Sequence, residues 1–463
     1  MKRVCAGIAC AAAAFVVSVH AHAQAPPAAS TLNVALVVRV RGPALLTPDG
    51  QPAPAGQAAL PGIEHALRWL ERTKVPFALS ASPVWVDELV AAGQTGTYAA
   101  LLSVATRHVL LHAPYAYALL PAEGGKDAIH DDLATGERAI ERSLQTASQR
   151  ILDPPGLALS DTVIDAAHAS GLDAALAPVG VVGDHPVSYR GTTLIPVADS
   201  AVTSPADVYG TAASLVVVAY AGADLETTVG RLAADKRVRL VNITDLSARV
   251  SRAGVRFEPS ASPPSSYRQA LRRARGAVSG FASYTLPGNQ TAHLLNVLLG
   301  RAESTADWQS DWKPGIARAS AIVDAADAGH LLVSASDGSV TLTSRRGAVP
   351  VTLENGALYP VRVRVRVTSP KLTFPSGDER IVTISPHGVT IAFVAVARST
   401  GSFPMDVSLE SPDSTVHFNG GRVVVRSTAA NVLALLLTGS GLLFLIVWSS
   451  RDFLRRTLRR RTS

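Results

Sequence analysis

The sequence predicts an α/β protein: a (β/α) barrel of seven or eight units, then a small helical appendage, a β-sandwich and a single transmembrane helix. Three observations predict it. Between residues 34 and 243, brief uninterrupted apolar runs alternate with longer amphipathic segments, the pattern of a parallel sheet covered by helices on both faces. From His330 the texture changes to short runs with period-two alternation, which reads as strands with one buried and one wet face. Near the end, residues 432–448 carry no charge and arginines follow at once.

Taken in order, Lys2 and Arg3 form a basic start, residues 4–19 are apolar and Ala-rich, and Ala21-His22-Ala23 is an A-x-A-like cleavage site. Residues 1–23 therefore read as a secretory signal peptide. A short Pro/Ala linker leads into the barrel, residues 31–258. Its strands are expected over 34–40, 75–81, 108–113, 151–153, 174–177, 193–197, 215–220 and 238–243, with helices over 62–72, 85–92, 132–147, 161–170 and 224–235. A Pro/Ser-rich break at 259–266 opens the helical appendage, residues 259–329, with helices over 267–283, 291–301 and 316–328. Residues 330–427 hold eight short strand patterns separated by Asn355-Gly356, Ser376-Gly377, His387-Gly388 and Asn419-Gly420 turns. That spacing predicts an immunoglobulin-like β-sandwich.

Residues 431–449 make the expected transmembrane helix and 450–463 a basic cytoplasmic tail. The uncharged run would reach about 26 Å at ~1.5 Å per residue, just enough for a hydrocarbon core of about 30 Å. Trp448 suits the interface, and the arginines behind it put the C-terminus in the cytoplasm and the N-terminal part outside. The lipid bilayer is thus the first expected partner. The formal charge of +7 is misleading as a whole-chain figure, because the signal and the arginine tail account for it and leave the exported part neutral. A neutral exported segment argues against nucleic acid as a partner. Both cysteines, Cys5 and Cys10, lie in the signal segment, so the exported part has neither disulfides nor thiol chemistry.

His108-Val109-Leu110-Leu111-His112 is the sharpest local motif. Its interior reads as a buried strand, and four residues along a strand cover about 13 Å, too far for two imidazoles to share one metal at ~2.1 Å each. No metal or cofactor is expected. His112 alone falls at a strand's C-terminal end beside Ala113-Pro114-Tyr115, where barrels place ligands. The candidate pocket is His112, Tyr115, Asp153, Asp199, Asn242 and Asp245, all near predicted strand ends. Asp153, before Pro154-Pro155-Gly156, reads equally as a turn residue, and Asp245 equally as a helix cap. Asp131-Asp132 reads as the cap of the helix that follows. Arg362, Arg364 and Arg366 read as the wet face of a strand.

The layout resembles a family of membrane-anchored exported proteins of high-GC Gram-positive bacteria, whose own function is not established. The similar stretches include Val75-Pro76-Phe77-Ala78-Leu79-Ser80 with Asp87-Glu88-Leu89, Pro154-Pro155-Gly156, residues 298–308 and 349–367, and Arg426-Ser427 before the span. The resemblance implies a barrel of glycoside hydrolase/polysaccharide deacetylase type, an Ig-like domain and one C-terminal span. Active deacetylases of the related barrel close the first strand with an Asp-Asp pair, whereas here it ends Val38-Arg39-Val40-Arg41-Gly42-Pro43. The expectation is therefore an envelope protein with a degenerate carbohydrate-active barrel, binding wall glycan, a lipid-linked precursor or a membrane protein. The alternatives are an active deacetylase or hydrolase with an unfamiliar residue set around His112, Asp153, Asp199 and Asp245, and a structural scaffold.

Overall fold

The computed structural model describes residues 31–116, 125–154, 159–198, 204–210, 213–246, 255, 257, 263–304, 308, 311–427 and 432–459, with side chains of the last helix over 436–451. The expected signal peptide lies outside the described residues. The first half alternates strand and helix: β1 (Leu32–Val40), α1 (Pro54–Arg72), β2 (Phe77–Ala81), α2 (Pro83–Ala91), α3 (Thr95–Ala105), β3 (Val109–His112), α4 (Gly125–Leu144), β4 (Gln149–Leu152), α5 (Asp161–Ala169) and β5 (Ala174–Pro178). It continues through α6 (Val179–Val182), β6 (Val187–Tyr189), β7 (Thr192–Ala198), α7 (Pro205–Tyr209), β8 (Ser214–Tyr220), α8 (Leu225–Ala234), β9 (Val238–Val241) and α9 (Ile243–Leu246).

Seven parallel strands, β1, β2, β3, β4, β5, β7 and β8, close into a barrel, because β1 pairs with β2 on one edge and β8 on the other. The eighth expected strand, β9, stands outside this ring and pairs only with Leu32–Ala35 of β1, below the point where β2 begins. The wall is apolar on both faces. Leu36, Val38 and Val40 pack outward with Leu67, Leu70, Trp85 and Leu89, while Ala35 and Val37 face Leu111, Ile151, Leu176, Ile195 and Val216 inside. This two-sided burial is why the strands appear in the sequence as unbroken apolar runs. From α9, Ile243 and Leu246 join the interior cluster beside the first half of β1.

Three helices follow, α10 (Ser265–Tyr284), α11 (Gln290–Glu303) and α12 (Lys313–His330). They share one apolar core with the β-rich part rather than with the barrel. Tyr284 meets Phe418 edge-on at 5.1 Å between ring centroids, and Phe281 meets Tyr359 at 5.8 Å. Their link to the barrel combines the packing of α11 on α2 with polar clasps. Arg301 donates to the Gly42 carbonyl at 2.6 Å, Arg318 donates twice to Leu46 O at 3.1 Å, and Glu88 accepts from the Leu45 and Leu46 N–H groups at 2.9 Å. The loop after β1 is thereby held by two cations and one carboxylate that lie close together.

The β-rich part comprises β10 (Val333–Ala335), β11 (Gly338–Leu342), β12 (Arg346–Asn355), β13 (Val361–Thr368), β14 (Leu372–Thr373), β15 (Glu379–Ile384), β16 (Val389–Ala397), β17 (Gly401–Glu410) and β18 (His417–Ser427). They form one curled sheet, order β14-β16-β12-β10-β18-β17-β13-β15, with β11 on β18. A single residue pair, Ser334 with Asn419, joins its halves. Val349, Val351 and Phe393 of one half share a core with Val363, Val365, Met405 and Val407 of the other. On β13 the valines are buried. Arg364 and Arg366 face outward onto Glu379 at 3.3 and 2.8 Å, the wet face that the alternation predicts.

Helix α13 (Val432–Arg459) closes the chain. Its apolar residues from Leu436 to Trp448 that are described are 58–67% exposed. Among the described residues no helix is long and apolar enough to cross a membrane.

Candidate functional site

At the C-terminal end of the barrel strands the inward alternation of β1 passes from Ala35 and Val37 to Arg39. Its guanidinium grips Asp153, which follows β4, through Nε to Oδ2 at 2.9 Å and a second N–H to Oδ1 at 2.5 Å. Asp153 has no exposed side-chain surface, so the pair is a buried bidentate fork at the centre of the barrel mouth. Burial opposes charge on Arg39, but Asp153 outweighs it and holds the guanidinium protonated. Beside it, Arg41 lies over the Tyr220 ring, 4.8 Å from the centroid, and points one N–H at its hydroxyl at 3.4 Å.

The residues expected at this mouth scatter. Asp153 is there. His112 is not, because the step from Leu111 to His112 turns its ring to the outer face of the wall, where Nδ1 contacts Ser148 Oγ at 3.1 Å. Burial pushes its pKa down to about 4, opposed by the Leu133 backbone and Glu141, so the ring is neutral. Asn242 and Asp245 are exposed at α9, beside the first half of β1 and so away from the mouth. Asp199 lies outside the described residues. Tyr115 leaves the barrel altogether and enters a neighbouring cavity. Among the described residues no group of three or more His, Cys, Asp or Glu could hold a metal ion.

That cavity, about 890 Å³, lies between the barrel helices α2 and α4 and the added helices α10 and α11. Tyr115 donates to Asp87 Oδ2 at 3.2 Å, Ser143 donates to Asp87 Oδ1 at 3.2 Å, and Arg142 stands 3.6 Å from the same carboxylate. Asp132 accepts from the Ala116 N–H at 3.3 Å. Although water touches its edge, it sits so deep among protein that burial raises its pKa to about 8, with Glu303 adding to the rise and the Ala116 N–H opposing it. Burial also raises Glu303, against its ion pair with Arg275 Nε at 2.5 Å. Arg268, Arg272 and Arg275 line one wall at i, i+4 and i+7, and His293 and Asn296 of α11 another. Two close approaches at glycines hold the elements around the cavity together. A Cβ on Gly136 would lie 2.3 Å from Ala113 O, and one on Gly300 would lie 2.6 Å from the Tyr115 ring.

Solved structures resemble this chain at low identity. One, from Mycobacterium smegmatis and assigned to the polysaccharide deacetylases, shares 16% identity over 51% of this chain and 97% of its own, with TM-score 0.39. A GH57-type branching enzyme from the hyperthermophilic archaeon Pyrococcus horikoshii shares 11% over 65% and 89%, with TM-score 0.46. A mutant CE4 family pseudoenzyme with restored enzymatic activity shares 16% over 49% and 70%, with TM-score 0.30. No family model matches the chain, and no curated protein matches it.

The cavity is mostly invisible to sequence reasoning. Asp131-Asp132 looks like a helix cap, yet α4 starts at Gly125, so Asp132 is a mid-helix residue facing the cavity. Glu303 ends α11 and carries no motif. One signal was present: Arg268, Arg272 and Arg275 share a face of α10, next to the face that buries Tyr267, Leu271 and Ala274. Three arginines at helical spacing beside an apolar stripe mark a wall that meets something polar.

Proposed function

We propose that this is an exported, single-pass membrane protein of the cell envelope that binds a carbohydrate ligand, a wall glycan or lipid-linked precursor, in the cavity between α2, α4, α10 and α11. The observation that carries the reading is the Arg39–Asp153 fork: the centre of the barrel mouth is already filled by two groups that satisfy each other. The cavity beside it is of ligand size and is lined by carboxylates, guanidinium groups, an amide and a tyrosine. Such planar donors and acceptors match the paired hydroxyls of a sugar. The uncharged run at 432–448, the arginines behind it and the signal-like start support one membrane span with the barrel outside. The curled sheet then serves as an immunoglobulin-like spacer.

The test is calorimetric titration of the full chain in detergent with soluble wall fragments. Asn296→Trp, at an exposed position on the cavity wall, should lower affinity at least tenfold without changing stability. Unchanged affinity in that variant removes the cavity from the reading.

A second reading rests on Asp132. A carboxyl still protonated near neutral pH can serve as a general acid, and Glu303 lies close enough to raise it further. Release of acetate or reducing sugar that disappears in Asp132→Asn would replace the binding reading with a catalytic one.

A further inference from the structure

The curled sheet is electrically lopsided along its strands. Arg345 and Arg346 occupy the turn into β12, Lys371 the turn into β14, Arg398 the turn out of β16, and Arg426 the end of β18. Register brings them to one end. Ala397 N–H donates to Arg345 O at 2.8 Å, Arg398 N–H donates to Lys371 O at 3.1 Å, and Arg426 pairs with Ser402. All five are exposed, and among the described residues none forms an ion pair. The carboxylates further along the strands, Asp406 and Glu379, are held by Arg422 and Arg366. Acidic groups collect at the opposite end, with Glu354 near the close of β12 and Glu410 and Asp413 where β17 turns into β18, and there they share the surface with Arg362 and Arg364.

The basic end is also where the chain leaves. Ser427 closes β18 and Val432 opens α13. Five residue steps span at most about 18 Å, so Ser427, at the basic end, stands within that reach of the start of the helix.

We propose that this basic end docks on the anionic lipid headgroups of the membrane surface from which α13 descends. The inference rests on the membrane anchor proposed above and names the partner of the spacer. Five cations without carboxylates on a face set against a bilayer would attract phosphate-bearing headgroups. That attraction weakens as salt shortens the screening length. It would hold the long axis of the sheet upright on the bilayer.

The full chain, reconstituted in nanodiscs of phosphatidylcholine or of an equal mixture with phosphatidylglycerol, tests this by hydrogen exchange. Backbone exchange across 343–346 and 397–400 should slow several-fold in the mixed discs only, and high salt should reverse it. The quadruple variant Arg345→Glu, Arg346→Glu, Lys371→Glu, Arg398→Glu should lose the slowing while exchange in β13 and β17 stays unchanged, which shows that the sheet is still folded. Equal exchange in the two lipids, or slowing that survives in the variant, overturns the inference. A chain that never enters either disc overturns the anchor as well, so the two failures are distinguishable. Slowing in the mixed discs that soluble glycerol phosphate abolishes would assign the face to a free phosphate polymer and also overturn the proposal.

Discussion

Asp153 N–H donates to the His112 carbonyl at 2.8 Å, yet the two side chains stand on opposite sides of the barrel wall. Strand alternation decides which chemistry each can do. Asp153 turns inward to Arg39, and His112 turns outward into apolar packing. Removing one half of the inner fork leaves a carboxylate with no exposed surface and no counter-charge. Arg39→Ala should therefore cost about 3–5 kcal/mol, and the paired change Arg39→Met with Asp153→Leu much less. Denaturant midpoints of the two variants check this. The titrating residues pull stability in opposite directions. The His112 pKa falls from 6.5 to about 4 on folding, so its contribution is complete above 6.5 and is lost as pH falls toward 4. The Asp132 pKa rises from 3.8 to about 8, so its contribution is complete below 3.8 and is lost as pH climbs through 8. Asp132→Asn should flatten the loss of stability between about pH 4 and 8 relative to the parent, measured as unfolding midpoint against pH, and parallel curves would refute it.

At the scale of elements, the strands were legible and the site was not. Most strands of the closed ring bury both faces, so their apolar runs are continuous and easily bounded, whereas β4 is buried only at Ile151 and Leu152 and its exposed Gln149 and Arg150 carry no strand signal. Helix α3 escaped notice because Thr95-Gly96-Thr97 opens it without a cap, and its Leu101, Val104 and Ala105 look like part of a strand. The strand β9 has the composition of a barrel stave but pairs with only the first half of β1, a matter of register that no local pattern encodes. The cavity depends on helices far apart in the chain, α4 with α10 and α11, and only their packing brings Asp132 to Glu303. That packing is tight at Gly136, where α4 crosses the end of β3. Gly136→Ala should force α4 away from Ala113 O, at a cost of about 1–3 kcal/mol, and weaken ligand binding in the cavity at the same time. A stability loss with unchanged binding would show that α4 can shift without disturbing Asp132.

Over the whole molecule, the added helices act as a coupling between barrel and sheet. They share an apolar core with the sheet and clasp the barrel through Glu88, Arg301 and Arg318. Arg301 has a side chain only 4% exposed, near Glu88 at 3.9 Å, so Glu88→Ala removes a counter-charge from it and the one oxygen that accepts from both the Leu45 and Leu46 N–H groups. The expected result is a loss of about 3–5 kcal/mol, and calorimetry should show barrel and sheet melting in separate transitions where the parent shows one. A single transition in the variant would place the coupling in the apolar contacts instead.

Strand β18 joins the helices to the basic end: Phe418, near its start, packs on Tyr284, and Ser427 is its last residue. Its 11 residues, at ~3.3 Å each, measure roughly 35 Å. With the basic end on the bilayer, the sheet is a ruler. On the proposed anchor and binding reading, the cavity would work at a fixed height, above anything that lies flat on the lipid, and a ligand would have to rise about that far from the surface to be met. Shortening the strands would change which molecules the protein encounters without altering one residue of the cavity.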